Sequence, residues 1–132
     1  MATKYTSVTL QHLGFRPLID FDVLRSGASY VLQWHSDHSQ PTDQDLANAE
    51  LPAAKGAYKN QIRSEANKLI LSKWPDWKQR NCDAGIYPEV MKTEKDADVV
   101  AVINASNTAE DAVDAALTIA DVEAVSAIWP VL

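Results

Sequence analysis

The sequence predicts an α+β fold that is mostly helical, with one N-terminal β-hairpin packed on a long central helix and several short helices after it. Three observations lead there. The stretch Ser29-Tyr30-Val31-Leu32-Gln33-Trp34, rich in β-branched and aromatic residues, follows a turn at Ser26-Gly27-Ala28 and reads as the second strand of a hairpin. Tyr58, Ile62, Ala66, Leu69 and Ile70 recur at three- and four-residue intervals, the spacing of one helix face. Thr-x-x-Asp recurs at Thr42/Asp45, Thr93/Asp96, Thr108/Asp111 and Thr118/Asp121. Each pair has the spacing of a capping box, in which the hydroxyl accepts from an orphan amide and the carboxylate accepts from the threonine amide.

Taken in order, Ser7 to Leu13 is expected to form a short helix capped by Ser7 and stopped at Gly14, with Pro17 forcing an extended path beyond. Leu18 to Leu24 partly alternates and supplies the first strand. A lone hairpin is not stable, so the face carrying Tyr30, Leu32 and Trp34 is expected to pack on a helix, leaving Val31 and Gln33 on the other face. His35 to Gln40 is a polar loop. Thr42 then opens a helix that is expected to end before Pro52, because proline lacks the amide that continues the ladder.

The longest helix is expected from about Ala53 to Lys73, with Trp74 extending its apolar stripe and Pro75 ending it. Asp76 is placed to cap a short turn through Trp77, Lys78, Gln79 and Arg80, and Gly85 and Pro88 break the chain again. From Thr93 a further helix is expected. Within it, Val99 to Ile103 is five apolar residues without alternation, which suits a buried strand or a buried helix; the Thr93 cap and the flanking Ala and Asp favour helix. Two short alanine-rich helices follow, near Ala109 to Leu117 and Ile119 to Ala127, before an extended apolar tail, Trp129-Pro130-Val131-Leu132. The segments between the Thr-x-x-Asp pairs differ in length, so the recurrence punctuates helices and is not an internal repeat.

At 132 residues and 46% hydrophobic content, the chain suits one domain with a core that needs no staples. It divides into a hairpin-containing part (1–52), a basic helix with a proline-broken elbow (53–92), and an acidic region of short helices with the apolar tail (93–132). No apolar run approaches the ~20 residues of a membrane span, and no charged-then-apolar leader is expected at the N-terminus. The single cysteine, Cys82, excludes an internal disulfide framework and fits a reducing compartment.

The net charge of −6 argues against bulk attraction to nucleic acid or anionic lipid. The charge is unevenly spread. Between Ala53 and Arg80 seven basic residues stand against Glu65 and Asp76, and from Thr93 to Val125 eight acidic residues stand against Lys95 alone. Such segments are either two solvated helix faces or attract each other, within one chain or between copies.

Candidate chemistry is sparse. His35 and His38, with Asp37 between them, are the one cluster that resembles a metal site, and a metal-dependent enzyme built on that loop is the alternative of another class. A site needs about four ligands, and His12 and Cys82 would be its only further soft donors, so a solvated loop is the plainer reading. Cys82 has no nucleophile signature around it. Gly14, Gly27, Gly56 and Gly85 stand singly and form no phosphate-cradling loop. Trp74 and Trp77 beside a basic helix fit single-strand stacking in principle, but they lie on or near the apolar stripe, where core packing is their ordinary role. The aspartate pair at the Thr42 helix start answers the positive end of that helix. No catalytic residue, metal or cofactor is therefore expected, nor nucleic acid or membrane as a partner. Four tryptophans in so short a chain instead suggest protein contacts, since tryptophan contributes a large contact area for few rotatable bonds.

Two stretches carry a resemblance. Ser29-Tyr30-Val31-Leu32-Gln33-Trp34, a polar loop, and Gln40-Pro41-Thr42-Asp43-Gln44-Asp45-Leu46 resemble the strand, tryptophan and helix start of small proteins encoded beside the tail fibres of tailed phages. Trp74-Pro75-Asp76-Trp77-Lys78-Gln79-Arg80-Asn81 is similar to a segment of phage structural and tail-fibre-associated proteins. Asp45 stands where those proteins often have Glu, Cys82 where a small or apolar residue is common, and the C-terminal third has no counterpart. The resemblance implies a non-catalytic tail-fibre accessory protein, either a fibre assembly chaperone or a fibre-associated subunit, with a virion structural protein of the tail or baseplate as the alternative. It implies a tail fibre or other tail protein as partner, and the host cytoplasm during assembly or the virion as location. Homo-oligomers are compatible with the opposed charges. The expected contact residues are Trp34 at the strand end, Trp74 and Trp77 at the elbow, and Trp129 in the tail.

Overall fold

The structure, a computed structural model, describes residues 2–132 and has the expected class. In chain order it comprises α1 (Thr6–His12), β1 (Phe21–Ser26), β2 (Ser29–Trp34), α2 (Asp43–Lys73), α3 (Asp76–Asp83), α4 (Glu89–Ala115) and α5 (Ile119–Ala124). The chain forms two compact units, one holding residues up to Ala57 together with Leu117–Val122, the other Tyr58–Ala116 with Glu123–Leu132.

In the first unit, α1 begins one residue before the expected Ser7, and no side chain caps it. Its start is instead tied by the Thr3 amide, which donates to Thr6 Oγ1 at 2.7 Å. Its end is as expected: Gly14 has φ +94°, and the Gly14 and Phe15 amides donate to the carbonyls of Gln11 and Leu10, both at 3.0 Å. That reversed pairing is a Schellman stop, which requires the left-handed conformation glycine adopts freely.

The hairpin is an antiparallel pair in register from Phe21 opposite Trp34 to Ser26 opposite Ser29. Gly27, the first of two turn residues, has φ +60°, the type II′ pattern that matches the strands' twist. The first strand starts at Phe21, not Leu18, because Asp20 closes a loop. Its Oδ2 accepts from the Arg16 amide at 2.7 Å, and its carbonyl accepts from the His35 and Ser36 amides. The inward face of β2 carries Tyr30, Leu32 and Trp34, as the alternation predicts. Leu32 and Trp34, with Phe15 and Val23, pack against a buried core of Leu10 from α1, Phe21 from β1 and Leu46 from α2. The Phe15 and Trp34 rings meet edge to face, centroids 4.9 Å apart.

The start of α2 is the expected capping box: the Thr42 amide donates to Asp45 Oδ2 at 2.9 Å, and the Asp45 amide donates to Thr42 Oγ1 at 3.2 Å. Contrary to expectation, α2 does not stop at Pro52 but continues for 31 residues with the proline inside. Proline removes only the donation to the Asn48 carbonyl and crowds it. Burial on either side, at Leu46 before it and at Ala53 and Ala54 immediately after it, outweighs that local cost.

In the second unit, Ile62 and Ala66 form the buried stripe of α2, and Trp74, just past the helix end, is buried as well. Pro75 ends the helix as expected. Asp76 is the first residue of α3 rather than its cap, and Pro75 occupies the cap position without a side-chain bond. A second Schellman stop closes α3: Gly85, φ +74°, and Ile86 donate to the carbonyls of Cys82 and Asn81.

The greatest departure is α4. One helix of 27 residues runs from Glu89 to Ala115 where a start at Thr93 and a new start near Ala109 were expected. Thr93 and Thr108 lie inside it, their hydroxyls donating back to the carbonyls of Glu89 and Asn104, the ordinary mid-helix use of threonine. Val99 to Ile103 is thereby helical. Lys95, Val102, Ser106, Ala109 and Val113 form its buried face; Val102, Ala109 and Val113 carry an apolar stripe past Thr108, and just beyond Thr93 the buried Lys95 is held by Asp83 and Asp96. Thr118 does cap α5, its Oγ1 accepting from the Asp121 amide at 3.1 Å. That helix ends at Ala124, three residues earlier than expected, and residues 125–132 carry no regular structure.

Candidate interaction surfaces

The elbow between α2 and α3 buries one of its two tryptophans and exposes the other. Trp74 is 1% exposed. Its Nε1 donates to Asp98 Oδ2 at 2.9 Å, and Lys78 Nζ sits 4.6 Å from its ring centroid, a cation over the negative π face. Gln79 Nε2 donates to the Trp74 carbonyl at 2.6 Å, satisfying an orphan acceptor at the end of α2. The Asn81 carbonyl accepts from Ile86 and Tyr87. The Trp-Lys-Gln-Arg-Asn run is thus mostly bracing: Lys78, Gln79 and Asn81 build the elbow and Trp74 is its core.

Trp77 is 55% exposed on that elbow, and the next large apolar residues along the chain, Ile86 and Val90, are 68% and 72% exposed. Ile86 and Val90 are not among the contact residues expected from the sequence. The signal available was their place beside Gly85 and Pro88: Ile86 lies in the turn between α3 and α4, and Val90 in the first turn of α4.

Trp34 is half-buried and turned inward, its Nε1 donating to the His38 carbonyl at 2.9 Å. The hairpin face around it, expected as a contact surface, is therefore the face that covers the core, and the outward face carries Leu24 and Val31, at 49% and 48% exposure. Trp129 is half-buried in the extended C-terminal segment, with Ile128 and Val131 exposed beside it. The expected tryptophans thus divide into core (Trp74), lining (Trp34), surface (Trp77) and tail (Trp129).

In the first unit a groove of about 700 Å³ runs between the end of α1 and the start of α2, lined among others by Leu13, Phe15, Pro41, Thr42, Asp45 and Pro52. It lies on the Gln-Pro-Thr segment. Hydrogen bonds from the backbone and side chain of Thr42 hold Asp45 below the usual carboxylate range.

The histidine loop forms no metal cage. His35 Nε2 lies 2.9 Å from Asp22 Oδ2, the His38 amide donates to Ser36 Oγ, and among the described residues no three His, Cys, Asp or Glu side chains gather as ligands. Cys82 is a buried free thiol.

The opposed charges meet inside the second unit. Lys59 pairs with Asp114 at 2.8 Å, Arg63 with Glu110 at 2.6 Å, and Lys73 with Glu94 at 2.8 Å and Asp98 at 2.7 Å. As numbers rise on α2 they fall on α4, so the two helices run antiparallel. The hydrogen bond from Arg63 lowers the Glu110 pKa, and those from Lys73 and then Trp74 lower that of Asp98. Buried Lys95 bridges Asp83 at the end of α3 and Asp96 on its own helix, and these bonds raise its pKa. No helix among the described residues is long and apolar enough to cross a membrane. The chain matches no family model, no curated protein and no solved structure.

Proposed function

We propose that the chain is a non-catalytic accessory protein of a bacteriophage tail fibre, acting through protein contacts as an assembly chaperone or as a fibre-associated subunit. One observation carries this reading: the segment that resembles phage tail proteins, Trp74 to Asn81, is also where a braced elbow holds Trp77 outward, with Ile86 and Val90 exposed just beyond. A protein that covers apolar surface on a partner needs apolar side chains held out in water by a rigid support. The second resembling segment supplies Pro41 and Thr42 to the groove of the first unit. In this reading the protein works in the host cytoplasm during assembly or within the virion.

The test begins with the neighbouring genes: a tail-fibre gene directly upstream supports the reading, and its product is then co-expressed with this chain. Fibre that becomes soluble and trimeric only in its presence supports the role. The triple variant Trp77→Ala, Ile86→Ala, Val90→Ala should keep its far-UV circular dichroism and lose fibre binding; a folded triple variant that binds undiminished sinks the elbow as the contact. Mass spectrometry of purified particles separates a retained subunit, which is found there, from a released chaperone, which is not. A particle that contains the chain without any fibre contact would favour the alternative, a structural protein of the tail or baseplate.

A further inference from the structure

The two edges of the hairpin are unequal. On β1, the Phe21 carbonyl already accepts from the Leu18 amide at 2.8 Å, and Pro17, which has no amide, bridges to Phe21. The strand also carries Asp22 and Arg25. Proline, charge and a covering loop are the ordinary means of protecting an edge strand. β2 has none of them: Ser29 to Trp34 is uncharged and proline-free, and among the described residues no backbone hydrogen bond from outside the hairpin reaches it.

Geometry identifies which groups are free. In a two-residue hairpin the flanking pair, Ser26 and Ser29, is a hydrogen-bonded one, and bonded and non-bonded pairs alternate from there. Val31 and Gln33 therefore direct their main-chain groups to β1, while Tyr30, Leu32 and Trp34 direct theirs outward. Beside the start of this edge lies a cleft of about 530 Å³, lined by Ala2, Thr3 and Lys4 as well as Ala28, Ser29 and Tyr30.

We propose that the β2 edge is a self-association surface, on which β2 of a second copy adds antiparallel to form a four-stranded sheet across a two-fold axis. An uncharged strand can meet itself across a two-fold axis without opposing like charges. With Val31 on the axis, Tyr30 stands opposite Leu32 of the other copy and Ser29 opposite Gln33, and no charge meets a like charge. Inward residues then meet inward residues, as a continuous sheet requires. On the outer face Leu24 lies opposite Val31 across the hairpin, so the new sheet carries Leu24, Val31, Val31 and Leu24 in one row. This joins two side chains that are each about half exposed in the single copy, at 49% and 48%. The guarded β1 edges then lie at the outside of the sheet, so assembly closes at two copies and does not run on as a fibre. The surface lies on a different unit from the elbow and does not depend on the identity of any other partner.

The test is sedimentation velocity of the full chain over roughly a hundredfold range of concentration, with amide hydrogen exchange read residue by residue. The expected result is a monomer–dimer equilibrium in which the Tyr30 and Leu32 amides gain protection as the dimer forms, while those of Val31 and Gln33, already bonded to β1, do not change. Val31→Lys opposes two ammonium groups across the axis and should weaken the dimer by roughly tenfold or more, with unchanged circular dichroism. If that variant fails to fold, a chain N-methylated at the Leu32 amide removes one outward donor and leaves every side chain, and should weaken the dimer likewise. A monomer at every concentration, a dimer in which Tyr30 and Leu32 exchange as freely as in the monomer, or a dimer indifferent to the folded variants overturns the proposal.

Discussion

Trp74 and Trp77 are three positions apart, and their surroundings make them different residues in energetic terms. Trp74 buries its rings, donates to Asp98 and lies under Lys78. Trp77 keeps 55% of its surface in water. Removing a buried large aromatic costs its transfer free energy plus the cavity left behind, so Trp74→Ala should lower unfolding stability by about 3–5 kcal/mol. Trp77→Ala should change it by no more than about 0.5 kcal/mol. Urea denaturation of the two variants checks the contrast. A large loss at Trp77 would mean that its indole supports the fold and is not available to a partner.

At the scale of elements, four Thr-x-x-Asp pairs met different fates. Thr42 and Thr118 accept amides at helix starts, whereas Thr93 and Thr108 donate to carbonyls one turn back inside α4. Thr42→Ala should therefore cost about 1 kcal/mol, the usual value of a cap. Thr93→Ala and Thr108→Ala should leave stability unchanged or raise it by a few tenths of a kcal/mol, since alanine is the better interior helix former. Chemical denaturation of the three single variants decides it. Pro52 is the second case. Because α2 runs through it, Pro52→Ala restores a missing amide at a helical position and should raise stability by about 1–3 kcal/mol. A loss on that substitution would show that the proline's ring packing in the groove outweighs its backbone cost.

For the whole molecule, the balance of acid and base predicts the pH response. Asp98 and Glu110 are held down by Lys73 and Arg63, and Asp20 and Asp45 mainly by the backbone amides of Arg16 and Thr42. A depressed carboxylate contributes stability that is fully present above its unfolded value, about 4, and is lost as pH falls through the folded value. Lys73 and Lys95 are raised by their carboxylate partners, so their contribution is full below about 10.4 and is lost as pH rises through the folded values. These groups add no slope between, and the urea midpoint should fall once pH drops below about 4. Glu110→Gln, which removes one titrating group, should make that fall shallower. Salt should have little effect on the midpoint near neutrality, because Arg63 and Asp114 hold their pairs in water, where ion pairs are screened and weak.

What the sequence determined by itself was whatever has its cause within a few residues. The alternation of Tyr30, Leu32 and Trp34 determined which hairpin face turns inward, Gly14 and Pro75 stopped helices, and Thr42 with Asp45 opened one. In the candidate surface, the proline that breaks the chain before Trp77 was legible in the same way. Tertiary structure decided what local signals left balanced. It ran α2 through Pro52 and α4 through Thr93 and Thr108, buried Trp74 while leaving Trp77 outside, exposed Ile86 and Val90, and paired the basic half of α2 with the acidic α4 inside one unit. The physical reason is one of magnitude. A cap is worth about 1 kcal/mol and an interior proline costs about 3, whereas a stripe such as Val102, Ala109 and Val113 is stabilised along its whole length by burial. Local rules therefore prevail at the ends of elements, and burial prevails wherever an apolar face continues past them.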